Sequence, residues 1–274
     1  MRGGLGGFGD WVSAAIAAVQ LMTRVPVPVA ARWNERVARR SVVFYPLAGA
    51  FVGLLVGYAY WIGAAWLPVP AAAAIVVAAW AAATGGLHLD GWMDVADALG
   101  SHRSREKMLE IMKDPRVGSM GVAAGVLLLL GKFAFVWSLL EFTAAGSLNL
   151  AAAVAVVPIV ARMFVPWAIA GWPYAGGDAG MGAALRGTGR RHAAASAAVG
   201  AACAFGLLAL LGSGDPAMLL PILLWGAALA AAAGALVAAR LSRRFGGLTG
   251  DVYGALVEGL ELLLLLALVA LGGR

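Results

Sequence analysis

Three aspartates lie at the spacing of one helix face, in the stretch where negative charge is most concentrated. Asp90, Asp94 and Asp97 occupy positions i, i+4 and i+7, and a helix with 3.6 residues per turn places them within about 60° of arc. Carboxylates this close repel one another unless a cation lies among them, and oxygen donors suit Mg²⁺ or Mn²⁺. The spacing therefore predicts a divalent metal site. The simpler alternative is a solvated acidic helix start with Asp90 as its N-cap.

A second acidic pair, Asp251 and Glu258, comes near the C-terminal end of the chain. The two residues are seven apart and so share a helix face, and Gly254 between them leaves room for a closely approaching ligand. Asp251 could instead be only an N-cap. Glu258 is harder to explain structurally, because it lies inside an otherwise apolar run. The pair is therefore a second candidate for contact with a ligand.

Several basic residues could bind an anionic substrate. Lys113, Asp114 and Arg116 precede glycines and an apolar run, an arrangement that suits a phosphate-binding loop or, equally, a turn followed by an anchoring Arg. Lys132 and Arg162 lie inside apolar runs, where a cation costs about 2.5 to 3.5 kcal/mol and is normally directed at an anion or a cavity. His88, beside the aspartates, could act as a base or make a structural hydrogen bond.

The elements that must position these residues are membrane helices. The 274-residue chain is 62% hydrophobic and 12% charged, whereas soluble domains are typically about 25% charged. We expect one all-α, polytopic membrane domain over residues 1–274, with about seven spans and a leader, 10–22, that forms an interfacial or re-entrant helix. A signal-peptide core is the alternative for the leader. The expected spans are about 42–67, 71–87, 120–142, 148–171, 193–212, 217–239 and 252–271.

Basic residues orient these spans. Most of the 20 Lys and Arg residues lie before the first strong span or in segments 88–118, 172–192 and 240–251, whereas the connections 68–70, 142–147 and 213–216 contain none. Positive-inside bias therefore places the long polar segments in the cytoplasm. This distribution explains the net charge of +6 without a nucleic-acid partner. The cytoplasmic loops 88–118 and 240–251 are expected to form the active site, and residues 103–113 to form an amphipathic helix.

Carboxylates that hold a metal beside intramembrane cations indicate phosphoryl or nucleotidyl-type transfer to a partly lipid-associated substrate. A cation-coupled transporter is the alternative from another class, since it also needs intramembrane charges and broken helices. The aspartates cluster at the expected membrane interface and not at mid-membrane. That position favours the enzyme.

Several sequence blocks, in order along nearly the whole chain, resemble those of the cobalamin synthase family, the adenosylcobinamide-GDP ribazoletransferases. Such ordered agreement is more specific than any single block. A CDP-alcohol phosphotransferase is a weaker alternative, because that family expects two Asp four apart and a nearby Arg, whereas Asp94 and Asp97 are three apart. The matching blocks are 23–28 (TRVPVP), 45–47 (YPL), 84–91 (TGGLHLDG) with Asp94 and Asp97, 111–116 (IMKDPR) with Gly118 and Gly121, and 249–255 (TGDVYGA).

The resemblance implies a Mg²⁺-dependent enzyme of the prokaryotic cytoplasmic (inner) membrane, with its active site facing the cytoplasm. A hydroxyl of α-ribazole, or of its 5′-phosphate, would attack the cobinamide-linked phosphate of adenosylcobinamide-GDP and release GMP. Membrane lipid and possible further copies of the chain are the other expected partners. Mapped onto this chain, the resemblance implies metal binding by Asp90, Asp94, Asp97, Asp251 and Glu258. We further expect catalytic roles for Asp94, Asp97 and His88. The residues expected to bind substrate are Lys113, Asp114, Arg116, Lys132 and Arg162.

Overall fold

The computed structural model describes residues 5–144, 150–177, 181–211 and 216–272, and this part of the chain is helical without strands. The turns expected within 145–147 and 213–215 lie outside the described residues. The helices are α1 Leu5–Met22, α2 Glu35–Ser41, α3 Tyr45–Trp66, α4 Val69–Thr84, α5 Leu87–Gly100, α6 Arg105–Ile111, α7 Ser119–Ala144, α8 Ala151–Gly171, α9 Met181–Ala184, α10 Arg190–Leu211, α11 Pro216–Phe245 and α12 Gly250–Gly272, and a short 3₁₀ turn, Val42–Phe44, joins α2 to α3.

Among these described residues, six helical segments are long and apolar enough to cross a membrane. A seventh crossing exists if α4 and α5, which meet at 89°, form one broken span. Exposed apolar side chains such as Leu127, Leu210 and Leu224 cover the outer surface, as expected for contact with lipid. The all-α, polytopic prediction is confirmed. The six segments are Glu35–Trp66, Ser119–Ala144, Ala151–Gly171, Arg190–Leu211, Leu223–Phe245 and Gly250–Gly272.

The span expected over about 71–87 ends three residues early, at a break between α4 and α5. Gly85 ends α4 with φ of 62° and Gly86 begins α5 with φ of 75°. Two successive left-handed residues suit glycine and turn the chain sharply. The side chain of Arg24 lies directly against Gly85, where a Cβ atom would collide with it. The glycine pair therefore ends the apolar helix and sets the direction of the acidic one.

Small residues bring α3 and α8 together at the centre of the bundle. Gly49 faces the carbonyl of Pro158, with only 2.6 Å available between that oxygen and an added Cβ, and Gly53 faces the carbonyl of Ala155 still more closely. Such spacing lets two membrane helices approach backbone to backbone. As a result α8 is deeply enclosed, and its Arg162 is fully buried.

Helix α5 packs between α7 and α12. An added Cβ on Gly91 would lie 2.6 Å from the backbone oxygen of Asp251, so this position needs glycine. On the other side, Trp92 Nε1 donates to the carbonyl of Ala124 at 3.1 Å, and Met93 lies against Gly125. The segment 88–118, expected as a cytoplasmic loop that contains an amphipathic helix over 103–113, consists largely of α5 and α6. The predicted apolar face of α6 is confirmed at Met108, which is buried.

Backbone hydrogen bonds join the connection after α8 to the connection between α11 and α12, beside the start of α12. The backbone N–H of Ala175 donates to Leu248 at 2.8 Å, and that of Leu248 donates to Pro173 at 2.8 Å. Only part of the expected loop 240–251 is irregular, because α11 continues to Phe245 and α12 begins at Gly250. Arg240, Arg243 and Arg244 therefore lie in the last turns of α11. The pairing places Tyr174 close to Asp251.

Candidate active site

The carboxylates of α5 and the start of α12 form one cluster. Asp94 lies within electrostatic reach of Asp90, Asp251 and Asp97, and Asp251 lies within reach of Asp90. Within the described ranges, Asp90, Asp94 and Asp251 have no salt-bridge partner. Their mutual repulsion is therefore uncompensated by protein cations, which makes the cluster attractive to a metal ion.

Asp97 has a different environment from the other two aspartates of α5. Its two carboxylate oxygens accept the backbone N–H groups of Gly118 and Gly121, each at 2.7 Å. These are donors at the first turn of α7, where a negative charge also interacts favourably with the helix dipole. An added Cβ on either glycine would collide with the carboxylate. These contacts favour a role in fixing α5 to α7 over the metal-binding and catalytic roles implied by the sequence.

Asp97→Asn is expected to lower the free energy of unfolding by about 1 to 3 kcal/mol. The substituted amide keeps one acceptor oxygen but turns an N–H₂ group toward a backbone N–H, so one charge-assisted hydrogen bond becomes a repulsive contact. Thermal unfolding of the detergent-solubilised protein measures the effect. Asp97→Asn with unchanged thermal stability would contradict the capping role.

Lys132, Arg162 and Glu258 belong to a buried ion cluster, separate from the aspartates. Lys132 Nζ lies 2.6 Å from Glu258 and 2.6 Å from Glu261, and Arg162 Nη1 lies 2.6 Å from Glu261. The two cations and two carboxylates balance one another. The structure therefore gives both cations protein partners in place of the phosphates expected from sequence. It also pairs Glu258 with Lys132, about 10 Å along α12 from Asp251.

Glu261 was not among the residues singled out from sequence, although it joins both cations of this cluster. The available signal was its position, a second acid three residues after Glu258 in an apolar helix. Lys132, Arg162 and Glu261 each lie within one residue of the midpoint of their helices. An unpaired charge at such a depth is costly, so mutual pairing explains all four charged residues.

His88 links this cluster to the aspartates. Its Nδ1 lies 3.3 Å from Arg162 Nη2, and its ring is buried. Of the two interpretations left open by the sequence, this contact favours the hydrogen-bonding one over the base. Gly254 brings α12 directly against the backbone of α5 at this point, since an added Cβ would lie 3.3 Å from the Cα atom and the carbonyl oxygen of His88.

Asp114 and Arg116 pair with each other in the exposed connection before α7. Arg116 donates to Asp114 through Nη2 at 2.6 Å and through Nε at 2.9 Å. These hydrogen bonds, with a further one from the Arg116 backbone, lower the pKa of the Asp114 carboxyl to about 2. The pair is therefore retained above the ordinary aspartate pKa and is lost only as the pH falls toward 2. Lys113 is exposed beside it.

A cavity of about 170 Å³ adjoins the carboxylate cluster. Its polar lining includes His88, Asp90 and Asp251, and it lies where α1, α3, α5, α8 and α12 end or begin. Sequence reasoning missed most of its wall, because apolar residues distant along the chain carry no chemical signature. The wall includes Leu21, Met22, Tyr45, Val165, Ile169, Leu185, Tyr253 and Val257.

The fit of this site to Mg²⁺ depends on donor chemistry. Across the described residues, no three His, Cys, Asp or Glu side chains are already arranged around one metal position. Mg²⁺ commonly binds one or two carboxylates and completes its shell with water and substrate phosphates. Asp90, Asp94 and Asp251 supply carboxylate oxygens of that kind, so the residues present fit the ion together with a diphosphate substrate.

Fold and site together define a multi-pass, all-α membrane protein. Its carboxylate cluster lies beside a cavity at the helix ends and has no salt-bridge partner among the described residues. The family model for cobalamin-5-phosphate synthase matches residues 14–269. The chain belongs to that family.

Curated relatives support this membership along nearly the whole chain. A protein from Brevibacillus brevis is 38% identical over 262 residues, covering 94% of this chain and 98% of the relative. One from Pseudomonas entomophila is 37% identical over 258 residues, covering 92% and 96%. One from Geotalea daltonii is 35% identical over 265 residues, covering 94% and 97%. All three are named adenosylcobinamide-GDP ribazoletransferase. No solved structure matches the chain.

Proposed function

We propose that this protein transfers the phosphocobinamide group of adenosylcobinamide-GDP to α-ribazole, or to its 5′-phosphate, and releases GMP. This is the final assembly of the cobalamin skeleton. The names of the relatives supply the substrates. The structural observation that carries the proposal is the cluster of Asp90, Asp94 and Asp251 beside the cavity, which has no salt-bridge partner in the part of the chain that the structure describes.

In the proposed reaction, a ribose hydroxyl oxygen of the acceptor forms a bond to the phosphorus that carries cobinamide. The bond from that phosphorus to the oxygen bridging to GMP breaks, and the hydroxyl proton is released. Asp90, Asp94 and Asp251 would hold Mg²⁺, which when bound stabilises the charge that develops on the phosphates. Lys113 and Arg116 stand in the exposed connection before α7 and would contact the outer part of the donor.

The active site faces the cytoplasm of a prokaryotic inner membrane in this proposal. Arg240 and the arginine pair Arg243 and Arg244 lie in the last turns of α11, shortly before Asp251 at the start of α12. Cytoplasmic connections carry such an excess of basic residues. The carboxylate cluster would then be reached by soluble GDP-linked substrate and by Mg²⁺, while lipid surrounds the apolar outer surface.

Release of GMP by the detergent-purified protein tests the function. With adenosylcobinamide-GDP, α-ribazole and Mg²⁺, we expect GMP to appear, and we expect none when α-ribazole is omitted or EDTA is added. Glu110→Gln, an exposed change on α6, should leave the rate unchanged. A folded, Mg²⁺-supplied protein that forms no GMP with either α-ribazole or its 5′-phosphate would refute the proposed function.

A further inference from the structure

The proton of the neutral His88 ring is fixed on one nitrogen by its neighbour. Arg162 Nη2 faces His88 Nδ1 at 3.3 Å, and a guanidinium group can only donate. His88 Nδ1 must therefore accept, which leaves the ring proton on Nε2. Arg162 cannot turn away easily, because its Nη1 is held by Glu261 at 2.6 Å and by the carbonyl of Pro158 at 2.9 Å.

His88 Nε2 is a buried donor that lacks a partner among the described residues. The whole residue is only 3% exposed, and buried N–H groups nearly always have an acceptor. His88 also lines the cavity beside the aspartates. A molecule bound in that cavity would lie beside the His88 side chain and would supply the missing acceptor.

The cavity wall limits the chemistry of that molecule. The lining residues in the described part of the chain include no Lys or Arg, and two carboxylates, Asp90 and Asp251, lie on one side. The apolar part of the wall, away from the two carboxylates, therefore suits an uncharged aromatic group, while phosphates belong on the side of Asp90 and Asp251, where Mg²⁺ would be held. The volume of about 170 Å³ is below the roughly 300 Å³ at which whole-ligand pockets begin, so the cavity accommodates one part of a substrate.

We infer that this cavity binds the base of the acceptor nucleoside and that His88 Nε2–H donates to the unsubstituted ring nitrogen of that base. The inference rests on the proposed function, in which the acceptor is α-ribazole. A benzimidazole base is uncharged, bicyclic and apolar, with one ring-nitrogen lone pair. Its ribose would then point toward Asp90 and Asp251, where the reacting hydroxyl is needed.

Equilibrium binding to the full-length protein in lipid nanodiscs tests this inference. The probes are α-ribazole and its indole analogue, in which a CH group replaces the accepting ring nitrogen. The wild type should bind α-ribazole about 5- to 10-fold more tightly, the value of one neutral hydrogen bond. His88→Ala should reduce this ratio to about 1, and His88→Gln, whose amide N–H reaches near the Nε2 position, should retain part of it. His102→Asn, an exposed change, should keep the wild-type ratio.

Nitrogen-15 NMR of labelled histidine gives a readout independent of turnover. The chain contains three histidines, and His88→Gln identifies the signal of interest. We expect protonation on Nε2 and a shift of that signal when α-ribazole is added. An equal preference for the two probes in wild type and His88→Ala, no measurable α-ribazole binding, or a proton on Nδ1 would overturn the inference. GMP release by the wild type with any of these results would reject the His88 contact while leaving the proposed function intact.

Discussion

Asp94→Asn is expected to lower the rate of GMP release by about 10²- to 10³-fold without lowering the thermal unfolding temperature. Asp94 is surrounded by the charges of Asp90, Asp251 and Asp97. Removing its charge weakens the attraction for Mg²⁺ and so reduces stabilisation of the phosphates in the transition state. The same change relieves repulsion within the cluster, so the folded state loses nothing. Initial rates across a Mg²⁺ titration, together with melting curves in EDTA, measure both effects.

The contrast with Asp97→Asn makes this result specific. Both substitutions replace an aspartate of α5 by its isosteric amide, but only Asp97 caps α7. We expect Asp94→Asn to require more Mg²⁺ at unchanged stability, and Asp97→Asn to be less stable. Should Asp94→Asn retain half or more of the wild-type rate at low Mg²⁺, the carboxylate cluster would not be the metal site.

Local pattern was sufficient to predict most of the fold. Apolar runs of bilayer length define helices whether or not their partners are known, because the backbone must satisfy its hydrogen bonds within the membrane. The shared face of Asp90 and Asp94 also follows from helical geometry alone. The break at Gly85 and Gly86 was less visible, since glycine is common in membrane helices and only its backbone angles show the bend.

Partners distant along the chain account for what sequence reasoning could not supply. Asp97 resembles Asp94 in the sequence, yet its partners are amides more than twenty residues away. The sequence predicted that Lys132 and Arg162 contact substrate because their shared counter-ion, Glu261, lies on another helix. Glu261 is 129 residues after Lys132 and 99 residues after Arg162. A charge in an apolar run signals that a partner exists. Which partner it has is decided by packing of the helices.

Glu261→Gln is expected to lower the free energy of unfolding by about 3 to 5 kcal/mol, the cost of breaking a buried ion pair. Glu261 is fully buried and neutralises Arg162 while sharing Lys132 with Glu258. Its loss leaves two cations and one carboxylate near the midpoints of three spanning helices. Thermal or denaturant unfolding in a mild detergent measures the effect, and Glu141→Gln, an exposed change near the end of α7, should shift stability by less than about 0.5 kcal/mol.

A double variant separates charge imbalance from lost packing at this position. Glu261→Met combined with Arg162→Met removes one charge of each sign and leaves the contact between Lys132 and Glu258 at 2.6 Å. Replacing a buried ion pair by apolar residues of similar size is often neutral or stabilising, so the double variant should be more stable than Glu261→Gln. If the double variant is instead the less stable of the two, steric fit and not charge balance is what Glu261 contributes to the bundle.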